Sequence, residues 1–452
     1  MKATVRNPHE TSSFTLAIIV AMIGMAAGLG GMALGMLLYV IQHIAYGYSV
    51  HAIISQESFL QGVSTAAPER RVLAVSACGL VAGFGWWAVR RFGSALVSIS
   101  EAIHTPGRPM PFLTTVAHAL LQIVTVALGS PLGREGAPRE LGAVLATWLA
   151  NRVALTPEVR RILIACGAGA GLAAVYNVPL GGTLFILEVY LGTFRLSALI
   201  PALTTCVIAA LVAWIGLGNQ TPYTLPPLTI SPSLVAWSMV TGPVFGMAAH
   251  WFVRLARVAR ARAPRHWGSI VWCMTVFAAI ALLALPFPAL LGNGKGLAQL
   301  SFDSDLRLMQ AAVLLLLRIV VTLGCLRAGA EGGLLTPGIT IGALLAIVLG
   351  GLWNLAWPDV PLGAFAVVGG TAFLASSMKM PLTSIVLMIE FTRVGHDFLI
   401  PLSLAVAGSI SVSYLCTLRN VQSARERVYV NSADPVPGAV ALRALAYDEA
   451  PH

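Results

Sequence analysis

Between Leu196 and Val253 the chain carries no aspartate, glutamate, lysine or arginine. A helix needs about 20 apolar residues to cross the hydrocarbon core of a bilayer. This stretch therefore predicts two membrane helices, connected through its Pro-rich middle, Thr221–Pro232. Further uncharged stretches occur at 72–89, 109–133, 162–187, 267–294, 332–358 and 398–418. Charged residues make up 10% of the chain and hydrophobic ones 57%, against about a quarter charged in a typical soluble domain. That supply of polar side chains cannot cover a globular surface, so a soluble protein is excluded. In lipid every backbone polar group must be satisfied internally, so the spans are predicted to be helices, roughly ten or more.

The 452 residues carry a formal net charge of +10. No basic run interleaves aromatics on a polar face, so nucleic acid is not an expected partner. Basic flanks on cytoplasmic loops explain the excess better. Arg254, Arg257, Arg260, Arg262 and Arg265 crowd one connection, Arg70, Arg71, Arg90 and Arg91 flank another span, and Arg419, Arg425 and Arg427 follow the last. This pattern predicts a plasma-membrane protein with both termini in the cytoplasm. Phe14–Ile41 is too long for a signal-peptide core and reads as a retained helix. Cys78, Cys166, Cys206, Cys273, Cys325 and Cys416 lie singly in apolar stretches, without CxxC or metal-ligand spacing, so no metal or cofactor is expected.

Gly or Pro interrupts the spans at Gly129–Pro138, Asn177–Gly182, Glu331–Gly338 and Met380–Thr383. These breaks repeat. Gly133-Arg-Glu-Gly-Ala-Pro138 aligns with Gly332-Gly-Leu-Leu-Thr-Pro337 at an offset of 199. Pro179-Leu180 with Glu188 aligns with Pro381-Leu382 and Glu390 at 202, and Ile200-Pro201 with Ile400-Pro401 at 200. The expected organisation is an N-terminal segment 1–13, a first membrane repeat 14–217, a connecting loop 218–232, a second repeat 233–422 and a short tail 423–452. Paired broken helices at matching positions of two halves point to a substrate site near the bilayer midplane.

A helix that begins inside the membrane presents free N–H groups and about half a positive charge at its N-terminus. Glycines let a small ion approach that backbone closely. Two such ends converging from opposite sides would bind a dehydrated anion without a lysine, which could hold it too tightly for release.

At Gly133-Arg134-Glu135-Gly136 the chain resembles the CLC family of chloride channels and proton-coupled chloride antiporters. The resemblance continues through Gly167–Ala174, Asn177–Leu180 and Gly333–Pro337 to Met378–Leu382 and Glu390–Thr392. It implies an all-α polytopic fold of two inverted-topology repeats with tilted, broken helices. It also implies a homodimer in which each subunit has its own anion pathway. Glu135 falls on the family's gating glutamate, whose carboxylate competes with the anion; burial favours its neutral form, while the helix dipole and Arg134 favour the charged one. A purely structural role, pairing with Arg134 or capping the helix, is the alternative. The anion donors implied are the backbone N–H groups of Arg134, Glu135, Gly136, Leu334 and Leu335. Ser94 has the spacing of the family's anion-coordinating serine, but within Gly93-Ser-Ala-Leu-Val97 it could equally be a helix serine bonded to its own turn.

His118 falls where relatives often carry a lysine; as a lone histidine in an apolar segment it is expected to be an interior, satisfied one. Antiporting relatives place a proton-relaying glutamate directly after the position of Glu188, where this chain has Val189. Glu188 itself is rotated by about 100° on an α-helix and is expected to pair inside the bundle, as is Glu390. The family's inner-gate tyrosine aligns with Gln422, with Tyr414 too early and Tyr429 too late. The expected function is passive or weakly proton-coupled transport of chloride and similar anions. Proton-coupled antiport and fluoride export are the alternatives within the family. Ser94, His118 and Glu135 could be drawn as a hydrolytic triad, but the sequence has no GxSxG, HExxH or GxxxxGK[ST], and an enzyme would not explain the repeated breaks.

Overall fold

The computed structural model describes residues 13–48, 57–105, 107–264 and 266–431, with side chains through residue 418. The first half contains α1 (Ser13–Tyr46), α2 (Phe59–Thr65), α3 (Pro68–Phe92), α4 (Ile99–His104), α5 (Phe112–Ala127), α6 (Gly136–Ala150), α7 (Pro157–Tyr176), α8 (Pro179–Phe185) and α9 (Leu196–Leu217). The second contains α10 (Pro232–Ala261), α11 (Gly268–Leu283), α12 (Lys295–Phe302), α13 (Leu308–Ala328), α14 (Leu335–Trp353), α15 (Leu362–Met378), α16 (Pro381–Thr392) and α17 (Leu399–Asn431). Among the described residues seven helices are long and apolar enough to cross a membrane, and five shorter apolar segments accompany them. At 34 residues, α1 is about 50 Å long, well beyond the hydrocarbon thickness.

With α2 set aside, the order of elements runs twice. In the first half α1 packs on α9 and α7, and α6 on α5 and α7; in the second, α10 packs on α17 and α15, and α14 on α13 and α15. The breaks repeat in dihedral detail. Asn177 (φ 56, ψ 50) and Lys379 (φ 54, ψ 42) end α7 and α15 in the left-handed region. Val178 (φ −130, ψ 68) and Met380 (φ −135, ψ 69) follow, and then a proline opens α8 and α16. Proline at a first helical position lacks only an N–H that would be unpaired there. One chemical sequence, a left-handed stop, an extended residue and a proline start, thus builds the same corner in both halves.

The interior is formed by α7 and α14, whose apolar windows are 78% and 72% buried, against 39% for α1, α3 and α9. Close packing there relies on missing side chains. A Cβ on Gly142 or Gly167 would overlap the main chain of the other at the α6–α7 crossing, and one on Gly342 would press on Gly369 at the α14–α15 crossing. Without a hydrophobic force between helices in lipid, such close contacts supply much of the association energy.

Two expectations need correction. Arg254, Arg257 and Arg260 do not lie in a connection: α10 continues through them to Ala261. Arginine is a good helix former and its charge suits a helix C-terminus, so the basic segment prolongs the helix. Arg262 caps it, and Arg265 lies outside the described residues. In addition, α17 runs to Asn431, past residue 422. Residues 218–231 contain no helix, and the Tyr223 N–H there bonds the Phe391 carbonyl at 3.1 Å. Residues 1–12 and 432–452 lie outside the described part.

Candidate functional site

The two repeated Gly-rich segments meet. Gly133 and Gly333 exchange main-chain hydrogen bonds, N–H to carbonyl at 2.7 and 2.9 Å, as an isolated antiparallel pair. The pair sets the starts of α6 and α14 against each other. Neither start has a side-chain cap on its own helix. Instead Glu135, the residue preceding α6, reaches across, and its Oε1 accepts the Leu335 N–H at the start of α14. The carboxylate is fully buried and lies against both glycines; a Cβ on either would overlap it. Its Oε2 has no partner among the described residues.

This arrangement places a negative charge where a helix N-terminus attracts one. A hydrogen bond to a charged group contributes about 1.5–3 kcal/mol, and an unpaired buried polar atom costs about 1–3 kcal/mol.

Arg134 does not pair with Glu135. Its guanidinium stands over the Tyr176 ring at 5.2 Å, and the Tyr176 hydroxyl lies 3.4 Å from Thr336 Oγ1 in the first turn of α14. Tyr176 thus ties the arginine of the first half to the start of α14 in the second. On the other side, Gln122 of α5 presses its Oε1 on Gly136. Its Nε2 donates to Glu140 Oε2 at 3.1 Å and contacts His118 Nδ1 at 3.0 Å.

A family model described as "Voltage gated chloride channel" matches residues 76–414. The chain belongs to the CLC family. It is 30% identical over 346 residues to the voltage-gated ClC-type chloride channel ClcB of Citrobacter koseri, covering 74% of this chain and 82% of that protein. It is 29% identical over 421 residues to the H(+)/Cl(−) exchange transporter ClcA of Cronobacter sakazakii, covering 89% and 87%. A slow cyanobacterial Cl−/H+ antiporter shares the fold with a TM-score of 0.76 at 20% identity, covering 89% of this chain and 94% of that one. A CLC-type fluoride/proton antiporter shares it with a TM-score of 0.64 at 21% identity, covering 89% and 97%. Anion transport across a membrane is the family's activity, and the relatives' names divide between channel and exchanger.

In this CLC chain the structure brings Glu135, Gly136, Leu334 and Leu335 to one place, at the facing starts of α6 and α14. Ser94 lies apart from any helix, in the exposed segment between α3 and α4, with its N–H bonded to Thr114 Oγ1 at 3.1 Å. It is therefore not a helix serine bonded to its own turn. His118 is buried, and both of its ring nitrogens face carboxylates. Gln422 falls in α17 beyond the last described side chain, and Tyr414 is exposed.

Glu188 and Glu390 pair inside the bundle in a reciprocal way. Glu188 accepts the N–H groups of Leu382 and Thr383 at 3.0 and 2.7 Å and the Thr383 hydroxyl at 2.6 Å, at the start of α16. Glu390 accepts the N–H groups of Leu180 and Gly181 at 3.0 and 2.7 Å, at the start of α8. Glu188 and Val189 lie in a π-helical turn, Ile186–Leu191, so α-helical spacing does not describe their relative rotation. The reading from sequence did not find Tyr176, Gln122, Glu140 or the Gly133–Gly333 pair. Glu331 alone left a signal, an acidic residue at a break inside the membrane region.

Proposed function

We propose that chloride and similar anions cross the membrane between the starts of α6 and α14, with the Glu135 carboxylate as the gate. The observation that carries this reading is the bond from the Leu335 N–H of one half to the carboxylate of the other. That carboxylate occupies the position a dehydrated halide would take. Protonation removes its charge, weakens the bond and frees the seat; the N–H groups of Arg134, Glu135, Gly136, Leu334 and Leu335, with Ser94 further along the path, then serve the anion. Transport is passive or only weakly proton-coupled, because Val189 cannot carry a proton. The working unit is a homodimer in the plasma membrane, each subunit with its own pathway and both termini in the cytoplasm, with the anion, protons and the lipid bilayer as its partners.

Chloride efflux and proton uptake measured together in proteoliposomes test this. The expected result is efflux that rises on acidification, with proton uptake far below any fixed ratio. A constant chloride-to-proton ratio would replace the passive reading with antiport. The Glu135→Gln variant is expected to transport chloride without pH dependence; a native pH profile in that variant would remove Glu135 from the gate. Fluoride competition in the same assay ranks the anions.

A further inference from the structure

Five charged or titratable side chains converge beside the gate. His118 Nδ1 lies 2.7 Å from Glu140 Oε2 and Nε2 lies 3.0 Å from Glu331 Oε2. The imidazole is nearly sealed, 7% exposed, whereas Glu331 is 46% exposed and opens the cluster to the outside. Arg90 of α3 stands 3.7 Å from Glu331, and Arg260 of α10 donates to the adjoining Gly332 carbonyl at 3.0 Å. Trp86 packs edge-on against the imidazole at 4.9 Å. From α1, Leu34 and Leu38 pack against this stretch of α5, in a cluster that Tyr39 also joins.

Fixing a histidine in place needs one partner. Two carboxylates on opposite ring nitrogens make a bridge with distinct ends: Glu331 at the arginine-rich ends of α3 and α10, Glu140 on the gate helix. Glu140 is followed inward by Gln122, which bonds it and touches Gly136, the residue after the gate. Glu140 lies five residues after Glu135, about 7.5 Å further along the α6 axis.

From this geometry we infer that Glu331, His118 and Glu140 form a proton conduit from the arginine-rich face towards the Glu135 gate, and that it carries the weak proton coupling which remains with Val189 in place of a glutamate. The inference rests on Glu135 being the gate. A proton taken up by the Glu331 carboxylate passes to His118 Nε2 as the proton on Nδ1 leaves for Glu140 Oε2. Rotation of the ring restores the first arrangement. Glu140 then releases its proton towards Glu135. No other reactant is consumed, and Arg90 and Arg260 keep the entrance from accumulating negative charge.

The test uses the full chain in proteoliposomes, recording proton uptake and chloride efflux in native protein, His118→Gln and Glu331→Gln. Glu331 is half-exposed, so its variant keeps the test valid if the buried histidine proves necessary for folding. Proton uptake is expected to fall about a hundredfold, the lower end of what a positioned proton-transfer group contributes, with chloride efflux retained in acid, where the opposite solution protonates Glu135 directly. The inference is overturned by native uptake in either folded variant, by parallel loss of both fluxes, or by native protein that moves chloride and no protons. The gate reading fails on separate results: no chloride flux in native protein, or native pH dependence in Glu135→Gln.

Discussion

At the scale of single residues, the seat of the Glu135 carboxylate is a question of room. Gly133 and Gly333 are the only residue type that lets the Glu135 carboxylate lie against the main chain of both halves. A methyl group at 333 must displace either the carboxylate or the bridge to Gly133. Overpacking of this kind costs about 1–3 kcal/mol, so Gly333→Ala is expected to weaken chloride binding by about tenfold or more. Calorimetric titration of the purified protein checks this, and unchanged affinity would place the anion elsewhere. Glu135, Gly136 and Leu335 could be read from the sequence because a Gly-rich break is a local pattern. Tyr176 could not: a tyrosine ending an apolar helix looks like ordinary core, and only the fold carries it to Arg134 and Thr336. His118 read correctly as satisfied, but its partners are 22 and 213 residues away, and no spacing rule connects them.

At the scale of elements, each half completes a helix of the other. Helix starts leave N–H groups unpaired, and in a membrane they must be met within the protein. Glu188 meets two of those of α16 and accepts the Thr383 hydroxyl as well, and Glu390 meets two of those of α8. Glu188→Ala is therefore expected to destabilise the protein by about 2 kcal/mol and Glu390→Ala by less, given a typical cap. Thermal unfolding in detergent gives the order, and equal losses would mean that the Thr383 hydroxyl contributes nothing. At the α6–α7 crossing, Gly167→Val is expected to lower the unfolding temperature and chloride flux together, because α6 follows the proposed gate, Glu135. Asn, Gly and Pro marked most of the helix breaks in the sequence, since they fit left-handed stops and proline starts best, whereas Lys379, which makes the left-handed stop of α15, left no such mark. The π turn left no mark, as nothing in Ile186–Leu191 distinguishes it from an α-helix.

At the scale of the whole molecule, the proposed pathway within each chain would make every subunit of the proposed dimer self-sufficient. Two copies joined in tandem, one native and one Glu135→Gln, are expected to give the mean of the two parent dimers' fluxes at every pH. Departure from that mean would reveal one gate shared by both subunits. The duplicated architecture has a further consequence for synthesis. Gly133 emerges long before Gly333, and α8 before Glu390, so the early half enters the bilayer with its Gly133 main chain unpaired and one helix end bare. Its assembly must wait for the late half. Two separately expressed pieces, cut within 218–231, would each be unfinished in lipid and should become a working transporter only when they share one membrane.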